Sequence, residues 1–242
     1  MSAVRLSVAA PCYNEAESIE AVVARWDEVL AKAPLSSEIV LCNDGSTDGT
    51  AAVLERLQRR FPRLRVVSFE QNGGYGRALS AAIDATRGEH VVTIDSDGQF
   101  ELADGLALLE ELQRGGHDCV TGWRMGKKDN LFRVAMDRGL NLLVRALFGV
   151  RLRDTNCALK VARGEVLRGL RLEARGYPTP TEIVVRLAAK GCKVGEKGVS
   201  HLPRAGGASK LHPWRTAWSM LRFLLYLRGK LKLFRARIIV EP

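Results

Sequence analysis

In the segment TIDSDGQF, Thr93 to Phe100, an apolar run, HVVTI, ends in two carboxylates separated by one residue, with an amide two residues later. Side chains at i, i+2 and i+4 of an extended chain point to the same side, so Asp95, Asp97 and Gln99 can converge on one object. Oxygen donors of this kind suit a hard divalent cation. Mg2+ or Mn2+ takes a few protein oxygens and completes its shell with water and substrate phosphates. Gly98 leaves room for close approach. In a purely structural role the same acids would end a strand and cap the following helix.

The elements that must carry these acids are legible in the first 120 residues. Short β-rich runs, RLSVAA, EIVLC, LRVVSF, HVVTI and DCVTG, alternate with helical patterns over about residues 16–33, 49–60, 75–87 and 102–114. Strands alternating with helices of this length predict βαβ units and a parallel sheet covered on both faces. In such sheets ligands collect beyond the carboxyl ends of the strands. Polar clusters stand at that end of four strands: PCYNE, CNDGSTDGT, QNGGYG and DSDGQ. The second half is less regular, with helices expected over about 131–148 and 180–190 and short strands near CALKVA and KVGEKG. No linker separates the halves, so residues 1–211 read as one domain and residues 212–242 as a tail.

The chain has 242 residues, 46% of them hydrophobic, and a formal charge of +10. That charge is unevenly spread. Residues 1–120 carry 11 basic and 19 acidic side chains, whereas residues 200–242 carry nine basic residues and only Glu241. Five widely spaced cysteines without a CxxC pair read as buried, reduced thiols rather than a zinc or redox site. The first residues read as a strand rather than a leader, and no run of apolar residues reaches the roughly 18–20 that a membrane span requires. No module that reads nucleic acid is recognisable, so nucleic acid is not an expected partner.

PCYNEAESI, NDGSTDGT, NGGYGRAL and DSDGQF, in this order and spacing, resemble the family 2 inverting glycosyltransferases of GT-A fold. They are most similar to the dolichyl- or polyprenyl-phosphate sugar synthase branch. TGWRMG, DTNCALKV, TEIVVRLAAKGCKVGE and HLPRAGGASK extend the resemblance over about residues 4–211. It implies an α/β, Rossmann-like, mainly parallel sheet with helices on both faces, plus a C-terminal amphipathic helix. It also implies transfer of a hexose from a GDP- or UDP-sugar to a polyprenyl phosphate, with Mg2+ or Mn2+. By this resemblance Pro11, Tyr13, Glu15 and Asp44 line the nucleotide site, Asp44 reading base or ribose. Gly73, Gly74 and Gly76 are read as permitting close backbone approach to the nucleotide, with Arg77 nearby. Arg204 and Lys210 resemble the family's mobile loop over the donor diphosphate, and Arg124 and Arg138 match positions that hold the acceptor phosphate. Glu182 resembles an acidic residue many relatives use, as a base for a hydroxyl acceptor or as a structural carboxylate at a helix start. Structural alternatives stand beside these roles: a capping box of Asn14 with Glu17, and Asp48 as an N-cap. Ala158–Leu159 stands where the family usually has Gly-Phe, and the C-terminal membrane spans of many relatives are missing.

In the tail, a helix over 214–227 would gather Arg215, Ser219, Arg222 and Tyr226 on one narrow stripe, with a wide apolar arc around it and the basic run RGKLKLFRAR after it. Tryptophans, an apolar face and Lys/Arg together predict a helix lying in the headgroup region of an anionic membrane. A helix packed on the body, or a dimer contact, is the competing reading. The expected location is cytoplasmic, peripheral on the cytoplasmic face of the membrane.

Overall fold

A computed structural model describes residues 3–125, 131–203, 213–236 and 238. The chain begins with β1 (Leu6–Cys12), α1 (Ile19–Lys32), β2 (Ser37–Asp44), α2 (Thr50–Arg60), β3 (Leu64–Phe69), α3 (Tyr75–Asp84), β4 (His90–Thr93), α4 (Leu102–Gly115) and β5 (Cys119–Arg124). It continues through α5 (Leu131–Phe148), β6 (Lys160–Arg163), α6 (Gly164–Arg168), α7 (Thr179–Ala189), β7 (Val194–Val199) and α8 (Pro213–Arg235).

The strands form one sheet in the order β3-β2-β1-β4-β6-β5-β7. Every residue of β1 is buried, as expected of a strand covered on both faces. Alternate residues feed two cores. Val8 and Ala10 pack with Trp26 of α1, Leu54 of α2 and Leu108 of α4. Ala9 faces the other way, into a core with Leu79 of α3, Leu167 of α6 and Ile183 of α7. Helices therefore cover both faces, as the strand–helix alternation predicts.

β1 to β4 pair in parallel and β5 pairs in parallel with β7, but β6 runs antiparallel to both β4 and β5. Lys160, where β6 begins, pairs with Thr93 and Thr121. The chain from the end of β5 to the start of β6 therefore leaves from, and returns to, the carboxyl edge where DSDGQ lies. The five-residue α6 was not legible in the sequence, being too short for a helical period to register.

α8 extends beyond the expected 214–227 and does not stand apart. Met220, Leu224, Leu227 and Leu231 are buried with Val144 of α5 and Val185 of α7. The competing reading, a helix packed on the body, thus accounts for much of the apolar arc. No described helix is long and apolar enough to cross a membrane. Cys12, Cys42, Cys119 and Cys157 are buried and unpaired with other cysteines. Burial pushes Cys12, Cys42 and Cys119 up to about 12, which keeps them as thiols.

Candidate active site

The sheet order places the switch in strand direction of travel at β1: the chain moves outward through β2 and β3, then jumps to β4 on the other side. A crevice opens beyond the carboxyl ends at such a point. The two loops bordering it are joined directly, for Ser96 Oγ donates to the Pro11 carbonyl at 2.7 Å. Asp95 and Asp97 follow β4 there, each half-buried. Asp95 Oδ1 accepts the Tyr75 hydroxyl at 2.8 Å, and Asp97 Oδ1 accepts the Gln99 backbone N–H at 3.1 Å. Gly98, at φ 73°, makes the turn that an L side chain would strain. Burial, and then the Asp95 carboxylate, push the Tyr75 phenol well above its ordinary value.

Gln99 is partly committed elsewhere. Its side-chain nitrogen donates to the Leu202 carbonyl at 3.2 Å, while its backbone carbonyl accepts the Leu202 N–H at 2.9 Å. Of its side chain, the amide oxygen is the atom that could serve a metal ion. The same bonds bring residues 200–203 against the acidic loop, with the His201 ring edge-on to Phe100. Arg204 and Lys210 lie just beyond, outside the described residues. Among the described residues no group of three His, Cys, Asp or Glu converges. Two acids and an amide oxygen fit an ion whose shell substrate phosphates complete, not a closed protein cage.

The loops after β1 and β2 are laced together. Asn14 adopts φ 55°; its side-chain oxygen accepts the Thr47 N–H at 2.8 Å, and its own N–H reaches Ser46 Oγ at 3.0 Å. The capping box with Glu17 therefore does not form, and α1 begins only at Ile19. Asp48 accepts from the backbone N–H groups of Thr50 and Ala16; the N-cap of α2 is Gly49, so Asp48 stands one residue before the expected N-cap position and clasps the neighbouring loop. Glu15 accepts the Ser18 hydroxyl at 2.6 Å. Pro11 is buried in β1, whereas Tyr13 is 41% exposed at the rim.

Asp44 is buried, and its two oxygens accept the N–H groups of Gly73 and Gly74 at 2.8 and 2.9 Å. It fastens the loop after β3 to the end of β2. Side chains at these glycines would meet protein, which gives them a packing reason beside the expected close backbone approach to nucleotide. A Cβ on Gly74 would lie 2.4 Å from the Arg175 carbonyl oxygen, and one on Gly76 would lie 1.7 Å from that of Ala174. Arg77 lays its guanidinium over Phe69, 4.2 Å from the ring centre.

On the acceptor side, Arg124 is not presented as an open fork. Its Nε and Nη2 donate to Asp154 at 2.7 and 3.0 Å. Burial works against its charge, but Asp154 outweighs it and holds the guanidinium protonated. A phosphate would meet it at its remaining N–H groups. Arg138 is exposed on α5. Glu182 is fully buried. It accepts the N–H groups of Glu173 and Ala174 and the Nε of Arg186 at 2.6 Å. This environment suits the structural reading: a proton acceptor needs an accessible lone pair, and these bonds occupy the carboxylate.

Three residues bonded to candidate site residues were not foreseen: Tyr75, Asp154 and Glu173. Each acts through a partner between nine and about sixty residues away in the chain, and local spacing carries no trace of that.

The sheet, its switch point and the paired acids beyond β4 define a transferase of GT-A architecture. Comparison with known proteins sharpens the class. Residues 7–168 match the model of Glycosyl transferase family 2. The chain is 30% identical over 235 residues to the dodecaprenyl-phosphate galacturonate synthase of Rhizobium johnstonii, covering 95% of this chain and 69% of that protein. It is also 30% identical over 207 residues to the undecaprenyl-phosphate 4-deoxy-4-formamido-L-arabinose transferase of Edwardsiella ictaluri, covering 85% and 62%. Among solved structures, glucosyl-3-phosphoglycerate synthase from Mycobacterium tuberculosis with Mn2+, UDP-glucose and phosphoglyceric acid superposes with a TM-score of 0.72 at 24% identity, covering 93% of this chain and 80% of that one. That likeness establishes the fold. The chain belongs to glycosyl transferase family 2 and is a glycosyltransferase.

Proposed function

We propose that the protein transfers a hexose, with inversion, from a GDP- or UDP-sugar to a polyprenyl phosphate at an anionic membrane surface, with Mg2+ or Mn2+ as cofactor. The observation that carries this reading is the pair Asp95 and Asp97 at the switch point, each held by a hydrogen bond. The two relatives above, named for dodecaprenyl- and undecaprenyl-phosphate, support the acceptor class.

Asp95, Asp97 and the Gln99 amide oxygen would hold the ion, which supplies positive charge beside the departing diphosphate. Arg204 and Lys210 belong to the same task in this reading, as fixed cations where negative charge builds. A phosphate acceptor also removes the need for Glu182 as a base. A phosphate monoester has its second pKa near about 6 and is largely ionised at neutrality, so it attacks without a strong base. Glu182, locked by Arg186 and two backbone N–H groups, disfavours the reading in which it activates a hydroxyl acceptor. Arg124 and Arg138 are assigned to the acceptor phosphate, Arg124 with its plane set by Asp154.

α8 supplies the membrane contact. Trp218, Arg222, Leu225, Lys232 and Leu233 recur at helical spacing and are exposed together, opposite the buried Leu224 and Leu227. An exposed face mixing Trp, Leu and basic residues suits a headgroup region.

The test is incubation with labelled GDP- and UDP-sugars, Mn2+ or Mg2+ and polyprenyl phosphate. An acid-labile sugar-phosphate lipid is expected, and Asp97→Asn should lower its rate at least about 100-fold. Transfer to hydroxyl acceptors only, with none to the lipid phosphate, would overturn the acceptor assignment.

A further inference from the structure

We infer that Tyr75 is a positioning residue for the divalent ion, fixing the plane of the Asp95 carboxylate through its hydroxyl. This rests on the reading of Asp95 and Asp97 as metal ligands and adds a residue to that site.

The argument begins with what a strand-end carboxylate lacks. Asp95 lies two residues past the last residue of β4, beyond the ladder, so its orientation depends on what its side chain bonds. The Tyr75 hydroxyl, at 2.8 Å, fixes one of its two oxygens. Second-shell hydrogen bonds of this kind orient metal-binding carboxylates, and their loss typically costs about 10- to 100-fold in metal affinity.

Tyr75 is itself held with unusual completeness. It opens α3, flanked by two glycines that the chain grips from opposite sides. On one side the N–H groups of Gly73 and Gly74 bond to the buried Asp44. On the other, the carbonyls of Ala174 and Arg175 sit where side chains on Gly76 and Gly74 would be. The Tyr75 ring packs against the core beneath α3. The hydroxyl is thus delivered from a rigid base, and its bond joins the loop after β3 to the loop after β4. A leucine or phenylalanine would fill the same space without the bond.

Binding of Mn2+ to the full chain, followed by the electron paramagnetic resonance signal of the free ion in the presence of UDP, tests this. Wild type is expected to bind, and Tyr75→Phe to bind about 10- to 100-fold more weakly with an unchanged thermal midpoint. Its turnover should recover at saturating Mn2+, which a disturbed fold would not allow. Equal Mn2+ affinity in wild type and Tyr75→Phe overturns the inference and leaves the metal site standing. Failure of wild type to bind Mn2+ overturns both. If Tyr75→Phe does not fold, 3-fluorotyrosine at position 75, a stronger donor of nearly the same shape, should shift Mn2+ affinity; an unshifted value counts against the proposal.

Discussion

Glu182 illustrates how a side chain's neighbours, rather than its type, decide its work. It is fully buried with Arg186, which is 1% exposed, and it terminates the backbone of residues 173–174. Removing one member of a buried ion pair typically costs about 3–5 kcal/mol because the other charge is left uncompensated. Glu182→Gln should therefore lower stability by about that amount in chemical denaturation. The shape of its pH–rate profile should stay as in wild type; loss of an ionisation limb would instead mark Glu182 as a base. The sequence shows the acid and its place in TEIVVR, but not the two N–H groups that consume it. Asp95 and Asp97 stand out as two acids one residue apart after an apolar run, but the extended chain expected to carry them ends at Thr93, and residues 96–98 turn instead. Asp44 and Arg124 were legible as important polar positions, but their partners, the Gly73–Gly74 backbone and Asp154, come from distant strands and loops.

Among the elements, β1 to β5 and their helices follow from period and punctuation, because each βα unit writes its own apolar pattern locally. The direction of β6 does not. It depends on where α5 leaves the chain, which four residues of β-rich sequence cannot announce. The meeting of α3 with the 174–175 segment is similarly non-local and makes a sharp prediction. Gly76→Ala places a methyl group 1.7 Å from the Ala174 carbonyl oxygen, so backbone must move. We expect a loss of about 1–3 kcal/mol, the usual range for forced overpacking, and a higher KM for the sugar nucleotide, measured by denaturation and initial rates. α8 is joined to the same segment: Tyr226 donates to Glu173 at 2.8 Å, and Lys230 pairs with it as well. Burial alone would raise the Glu173 carboxyl, but the hydrogen bonds from Lys230 and Tyr226 hold it below its ordinary value. A depressed carboxyl adds stability above its unfolded pKa, about 4.3, and loses it as pH falls through the folded value. That contribution should vanish in Glu173→Gln, whose stability should fall less steeply than wild type below about pH 4.

At the scale of the whole molecule, charge and shape are segregated. Residues 1–120 are net acidic, while the basic excess lies after residue 120, in the part of the chain that includes α8. An anionic bilayer would orient such a body, each basic residue near the surface contributing about 1 kcal/mol. Flotation with anionic liposomes should carry the wild-type chain. The combined change Trp218→Ser, Leu225→Ser and Leu233→Ser, all on exposed positions, should abolish flotation without lowering the thermal midpoint. Undiminished flotation would remove α8 as the contact. The apolar residues of the tail were plain in the sequence, but their division between core and surface was not, because a helix wheel does not record which of its sides finds a neighbour.

The reversed β6 gives the chain a consequence for its own diversification. Since β5 departs from the reaction edge and β6 re-enters at that edge, everything between them is a single continuous handle whose two ends are pinned beside the chemistry. If the proposed assignment of donor and acceptor holds, exchanging that handle would retarget the recipient of the sugar in one genetic step and leave the pedestal of β1 to β4 as it was.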